Sequence, residues 1–194
     1  MKRPTFILVR LVLAAATLAG CAGGGPAAGA REPAGPGKLD VIFVATDPAI
    51  VNAMLTLAGV TRDDVVYDLG CGDGRIVIAA AKEFGARGVG VDLDPRRIQE
   101  ARAGADRAGV ADRVTFRVED VFDAEIRNAT VITLFLSPEL NARLRPKLLS
   151  ELRPGARIVS HRYGIADWVP ERTITVTVRE IRNHVFLWRV PGRP

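Results

Sequence analysis

A chain of 194 residues, 48% hydrophobic and 25% charged, suits one domain with a good core rather than several domains. Its only cysteines are Cys21 and Cys71, which excludes a disulfide framework and argues against a cysteine metal site. The formal charge of +5 is no sign of nucleic-acid binding: Lys2, Arg3 and Arg10 lie in an N-terminal segment whose removal leaves +2, and no Lys/Arg cluster interleaved with aromatics follows.

In chain order, Lys2 and Arg3 precede an apolar run from Phe6 to Ala19, broken by Arg10 and Thr17, and Leu18-Ala19-Gly20-Cys21 closes it with small residues before a cysteine. Residues 1–21 have the pattern of a lipoprotein signal peptide, with Cys21 as the lipidated residue. The run is shorter than the roughly 20 residues a spanning helix needs. The expected location is therefore the cell envelope, anchored to a membrane by lipid; an unused signal would leave the chain in the cytoplasm. Residues 22–38 are mostly Ala, Gly and Pro, a flexible tether. Residues 39–194, about 155 in number, form the domain.

Asp47-Pro48 is an N-cap with proline at the first helical position. Val51, Met54, Leu55 and Ala58 then recur at helical spacing, and Gly59 closes the helix. Val65-Val-Tyr-Asp-Leu reads as a buried strand. It enters a turn through Gly70, Gly72 and Gly74, then the helix Ile76–Phe84. A strand, a glycine turn and a helix make the first half of a nucleotide-binding βαβ unit. A dinucleotide site wants G-x-G-x-x-G/A, and Arg75 occupies its last place. The pattern from Asp68 is acidic-x-Gly-x-Gly-x-Gly.

That pattern resembles the first motif of class I S-adenosylmethionine (SAM) methyltransferases. The resemblance implies SAM as cofactor, its methionine part lying on the turn at Gly70, Gly72 and Gly74 and its ammonium meeting Asp68. The bland alternative is a glycine turn in a nucleotide-free Rossmann relative.

The next strand, Gly88–Asp92, ends in an acid placed where a Rossmann-type fold takes ribose hydroxyls, with Leu93 beside it. Asp94-Pro95 already supplies the cap and first turn of the following helix, which leaves Asp92 for a ligand. Arg113–Val118 alternates as a third strand. For Asp120 and Val121 after it, the resemblance implies contacts to adenine, through the carboxylate and the backbone amide respectively. Ala129–Leu136 is a central strand covered on both faces. The helix from Ser137-Pro138 carries a leucine stripe and is expected to break at Pro146. Ala156–His161 is a fifth strand. The tail, Thr173–Glu180 and Val185–Val190 with a turn at Asn183, resembles the hairpin that closes class I methyltransferase sheets. The expected fold is α/β, Rossmann-like and doubly wound: a mostly parallel seven-stranded sheet with a C-terminal antiparallel hairpin.

Further runs sharpen the resemblance: Leu134-Phe-Leu-Ser-Pro-Glu-Leu-Asn, Lys147-Leu-Leu-x-Glu-Leu, Gly155-Ala-Arg-Ile-Val-Ser and Trp168-x-Pro170. Together with the glycine turn they are similar to a small methyltransferase group that includes the mitochondrial lysine methyltransferases of the ATP synthase c-ring protein and the adenine nucleotide translocase. Cys71 stands where those members have serine, and Ala45 where proline is common. The implied activity is methyl transfer from SAM to an acceptor the residues do not identify, a lysine amine of a membrane protein being one candidate, by a monomer that binds no nucleic acid. His161 is the histidine placed to act as base, against a structural role at a strand end. Thr46, Ser137 and Trp168 are candidates for the acceptor pocket, each equally able to pack or cap. A different class of function is an exported, non-catalytic ligand-binding lipoprotein on the same scaffold; a dinucleotide enzyme is disfavoured by Arg75 and the hairpin.

Overall fold

A computed structural model describes residues 44–192, so the signal, Cys21 and the tether lie outside the described residues. Helices α1 (Pro48–Leu57), α2 (Arg75–Phe84), α3 (Pro95–Ala108) and α4 (Pro138–Glu151) accompany seven strands: β1 (Val65–Leu69), β2 (Arg87–Asp92), β3 (Val114–Val118), β4 (Val131–Leu134), β5 (Arg157–His161), β6 (Arg172–Val178) and β7 (Ile181–Arg189). They form one sheet ordered β3-β2-β1-β4-β5-β7-β6, as expected for the doubly wound fold. Every pairing from β3 across to β5 is parallel, and β7 inserts antiparallel between β5 and β6.

Strand alternation sends side chains into two layers. Tyr67, Leu69, Ile132, Leu134, Ile158 and Trp188 pack with the α4 residues Leu140, Leu144 and Leu148. Val66, Val131, Val159, Val185 and Leu187 pack with α1 and α2 on the other face. Burial on both faces is why the parallel strands read as unbroken apolar runs. The indole N–H of fully buried Trp188 donates to the Trp168 carbonyl at 2.7 Å, so the core gains its bulk without an orphaned donor.

Two expectations need correction. The helix does not break at Pro146: α4 runs through it to Glu151. Proline removes only its own N–H, and the leucines on both sides of it sit in one core, which outweighs the missing bond. Nor does Asn183 make the hairpin turn. Arg179 (φ 48°) and Glu180 (φ 68°) form it, a two-residue bend with both residues left-handed, and Asn183 lies inside β7 paired with Val176.

At the amino ends of the strands, Arg157 ties three elements together. Its Nη1 donates to the Ala58 and Gly59 carbonyls at the end of α1, at 2.9 Å each, and its Nη2 pairs with Asp64. Asp64, 5% exposed, also accepts from the Thr130 hydroxyl (2.6 Å) and the Thr61 amide (2.8 Å). Burial alone would raise this carboxyl, but those hydrogen bonds and the guanidinium outweigh it and hold it below its ordinary value. A depressed carboxylate stabilises the fold above the unfolded pKa of about 3.9 and loses that contribution as pH falls through the folded value. Asp64→Asn is expected to cost about 3 kcal/mol in urea unfolding at pH 7. The gap from the parent should narrow on acidification below about pH 4.

Candidate active site

The carboxyl ends of β1, β2, β3 and β4 meet at one cavity of about 470 Å³. Its floor is the turn after β1. Gly70 (φ 83°) passes close to the segment that follows β4, where an added Cβ would stand 2.8 Å from Leu136. Gly74 (φ 76°) would put a Cβ 2.6 Å from the Phe116 ring and 2.8 Å from Ala101. Only glycine combines that conformation with that closeness, so the small-residue requirement falls on Gly74 and Arg75 is free to be large.

Arg75 straps the turn. Its Nε and Nη2 engage Asp73, and its Nη1 donates to the Thr46 carbonyl at 2.8 Å, drawing the segment before α1 to the rim. Burial opposes ionisation of Asp73, but the hydrogen bonds and charge of Arg75 hold its carboxyl below the ordinary range.

Asp92 is engaged more fully than the sequence suggests. One carboxylate oxygen accepts from the Gly72 amide (2.8 Å) and the other from the Asp94 amide (2.9 Å). A carboxylate has about four acceptor sites, so each oxygen keeps one for a hydroxyl. The cap of α3 is indeed Asp94, whose side chain accepts from the Arg96 amide. At the third strand, Asp120 accepts from the Phe122 amide at 2.9 Å, and the Arg143 guanidinium lies 4.2 Å over the Phe122 ring.

Asp68 is 3% exposed yet faces the cavity. Burial, helped by the nearby charges of Asp92 and Asp73, pushes its carboxyl up to about 7, although the Thr133 hydroxyl donates to it at 2.6 Å. Among the described residues no cation pairs with it. The Cys71 thiol is likewise pushed up by burial and by Asp68, and packs as a small apolar group against Gly90. No group of metal-ligating side chains forms among the described residues.

Of the residues singled out from the sequence, Thr46, Asp68, Gly70, Asp92, Leu93, Asp120 and Val121 line this one cavity. Gly72 and Gly74 do not line it; the Gly72 amide is bound to Asp92, and Gly74 is packed against Phe116 and Ala101. Three others stand back from it. Ser137 caps α4, accepting from the Leu140 amide at 3.3 Å. Trp168 packs beside Trp188, ring centroids 6.3 Å apart. His161 is buried behind Phe135, with ring centroids 4.2 Å apart, and it is Phe135 that lines the cavity. The His161 Nε2 lies 3.2 Å from Asn183 Oδ1 while its Nδ1 is buried without a hydrogen-bond partner, and burial lowers its pKa. Sequence reasoning does not find Phe122, Phe135 and Leu136 as lining residues; the signal for the last two is their place immediately after the central strand.

A sheet in this order, with a glycine turn after its first strand and acids at the tips of the first three, is the architecture of a Rossmann-like methyltransferase. The chain belongs to the family described as the ANTKMT methyltransferase domain, which matches residues 68–172. It is 44% identical over 149 residues to a protein-lysine N-methyltransferase of Saccharolobus islandicus (strain REY15A), covering 76% of this chain and 92% of that protein. It is 36% identical to the adenine nucleotide translocase lysine N-methyltransferase of Mus musculus, covering 81% of this chain and 66% of that longer protein. Among solved structures, an RNA methyltransferase from Salinibacter ruber in complex with S-adenosyl-L-homocysteine is similar at 48% identity and a TM-score of 0.73, covering 78% of this chain and 96% of that one.

Because a single guanidinium joins Thr46 to the turn, Arg75→Ala should raise amide hydrogen exchange at residues 44–47 by about tenfold while α2 exchanges as before. Exchange followed by mass spectrometry reads both segments in one experiment.

Proposed function

We propose that this methyltransferase uses SAM and acts on a lysine amine of a protein. The observation that carries the reading is the row of acids, Asp68, Asp92 and Asp120, at the tips of β1, β2 and β3 around one cavity. The residues fit the cofactor. Asp68, raised and without a cation partner among the described residues, suits an ammonium; Asp92 keeps acceptor sites for two hydroxyls; Asp120, Val121 and Phe122 offer an acceptor, a backbone edge and a ring for adenine. When bound, SAM supplies an activated methyl group on a sulfonium.

The chain's own residues then align and dehydrate. The Gly70 backbone allows close approach from below, Phe135, Leu136 and Leu140 form an apolar wall, and the Thr46 segment held by Arg75 closes one side. A lysine amine reacts only as the neutral base, and an apolar wall favours that form. His161, one ring removed from the cavity, supports Phe135 in this reading. The relative named as a protein-lysine N-methyltransferase, matched over nearly its whole length, supports the lysine. The relative named as an RNA methyltransferase supports a nucleic-acid acceptor instead. The non-catalytic binding alternative finds no support among these relatives, each of which is named as a methyltransferase.

Incubating the protein with methyl-labelled SAM and separately with protein and RNA fractions decides the acceptor class. Methyl-lysine in protein digests is the expected product; label confined to RNA would overturn the lysine assignment. Asp92→Ala should weaken SAM binding at least about 100-fold in titration calorimetry, with an unchanged circular dichroism spectrum. Unaltered affinity would remove Asp92 from the site.

The raised pKa of Asp68 sets a pH dependence. The unliganded fold holds an extra proton on Asp68 between about pH 4 and 7, so this group's contribution to stability falls as pH rises through that window. A bound ammonium favours the ionised form, so SAM affinity should rise with pH up to about 7 and level off above it. Calorimetry from pH 6 to 8.5 reads the slope, and Asp68→Asn should flatten it.

A further inference from the structure

We propose that Asn183, on the C-terminal hairpin, is a positioning residue for methyl transfer: it fixes the ring of His161 and, through that ring, the side chain of Phe135 in the cavity wall. Asn183 does not itself line the cavity, and its role rests on the place of Phe135 in the acceptor wall proposed above.

The register brings the two residues together. His161 ends β5 opposite Val185, and β7 begins earlier, at Ile181, so Ile181 to His184 run on past the tip of β5. Asn183 stands two positions from Val185 and therefore on the same face as His161. Its Oδ1 lies 3.2 Å from the imidazole Nε2, while its Nδ2 donates to the Ile181 carbonyl at 3.0 Å and so settles the orientation of the amide. An amide oxygen only accepts, so Nε2 carries the ring hydrogen and Nδ1 is the bare nitrogen. The backbone beyond His161 is held as firmly. The Arg162 amide donates to the His184 carbonyl at 2.7 Å, Arg162 is left-handed (φ 70°), and the Tyr163 amide turns back to the His161 carbonyl at 2.9 Å. A non-glycine residue in that conformation is strained, and such strain persists only where the neighbours impose it.

Packing alone would be better served by another residue. His161 is 4% exposed, and its Nδ1 is buried with no hydrogen-bond partner. Phenylalanine or leucine would fill the site without that orphaned nitrogen. What the imidazole offers instead is an edge that a hydrogen bond can pin and a flat face for Phe135, whose ring lies 4.2 Å away at 41°. Burial lowers its pKa against the pull of the Asn183 hydrogen bond, and the neighbouring Arg162 charge acts with burial. The pin therefore adds no charge behind the apolar wall. Phe135 carries its position into the cavity, where a displacement of about 1 Å can cost about 100-fold.

Steady-state kinetics of the full chain with methyl-labelled SAM read the proposal on whichever fraction, protein or RNA, takes label. Asn183→Ala should raise the acceptor KM about tenfold, with a smaller change in kcat, and leave SAM affinity in titration calorimetry within about twofold of the parent. His161→Phe should raise the acceptor KM likewise, while its melting temperature equals or exceeds the parent's. Nitrogen NMR of the imidazoles, with His184 as the second signal, should show a protonated Nε2 at His161 in the parent and mixed tautomers in Asn183→Ala. An unchanged acceptor KM overturns the proposal; so does SAM affinity lost in step with it, or a His161→Phe protein that melts lower with normal kinetics. Label on RNA would end the lysine reading and leave this inference standing, whereas label on neither fraction would end both.

Discussion

The site depends on one carboxylate held by two backbone amides. Asp92 reaches from the tip of β2 to the Gly72 amide in the neighbouring turn and to the Asp94 amide at the start of α3. The amides of Gly70 and Cys71 meanwhile both donate to the Val91 carbonyl at 2.9 Å. The turn after β1 is therefore shaped by β2, and a segment rich in left-handed glycine is kept in one conformation by its neighbour rather than by itself. The closeness this requires is visible at Gly88 and Gly90, where an added Cβ would stand 2.4 Å from Val77 and 2.7 Å from Phe116. Strand, turn and helix approach so tightly that β2 has no room for a side chain at either glycine, and the next residue on that face is Asp92 itself.

The same tightness explains the unusual state of Asp68. It occupies the end of a strand buried on both sides, with Asp92 and Asp73 near enough to oppose its ionisation and only the Thr133 hydroxyl to support it. Asp73 escapes the same fate because Arg75 neutralises it, and that same guanidinium is committed to Thr46 and cannot serve Asp68. Two acids a few residues apart thus end up on opposite sides of their ordinary pKa, and the difference is one arginine. A cation beside this raised carboxyl would favour its ionised form, so ligand binding there and proton release from Asp68 are linked.

Much of this is legible in the sequence, and the exceptions share a cause. The glycine turn, the acids at the strand tips and the proline-started helices are local signals, because backbone conformation and capping depend on residues within a few positions. Strand order and the inserted antiparallel strand follow from the family pattern. What stays hidden depends on distant partners. Pro146 reads as a break, but the helix continues through it because its own Leu144 and Leu148 are buried in the core against the sheet. The turn at Arg179-Glu180 carries none of the residues that usually mark left-handed turns; strand pairing on both sides imposes it. Asn183 reads as a turn and instead meets His161, 22 residues away. Arg75 reads as a misfit in a nucleotide motif, and its use emerges only when Thr46 is seen beside it.

The division of the cavity into charged and apolar parts bears on how an acceptor is selected. Carboxylates cluster where β1, β2 and β3 end, whereas Phe135, Leu136 and Leu140 line the β4 side. A cation entering past those apolar residues would lose hydration without meeting a partner carboxylate, a cost that a neutral amine avoids. For the proposed amine acceptor, selection of the reactive form would then need no dedicated base, which accords with an imidazole whose Nε2 lies beside Asn183 Oδ1 and whose ring is covered by Phe135. On this view the wall that excludes water also chooses the protonation state, and both properties reside in the residues that follow the central strand.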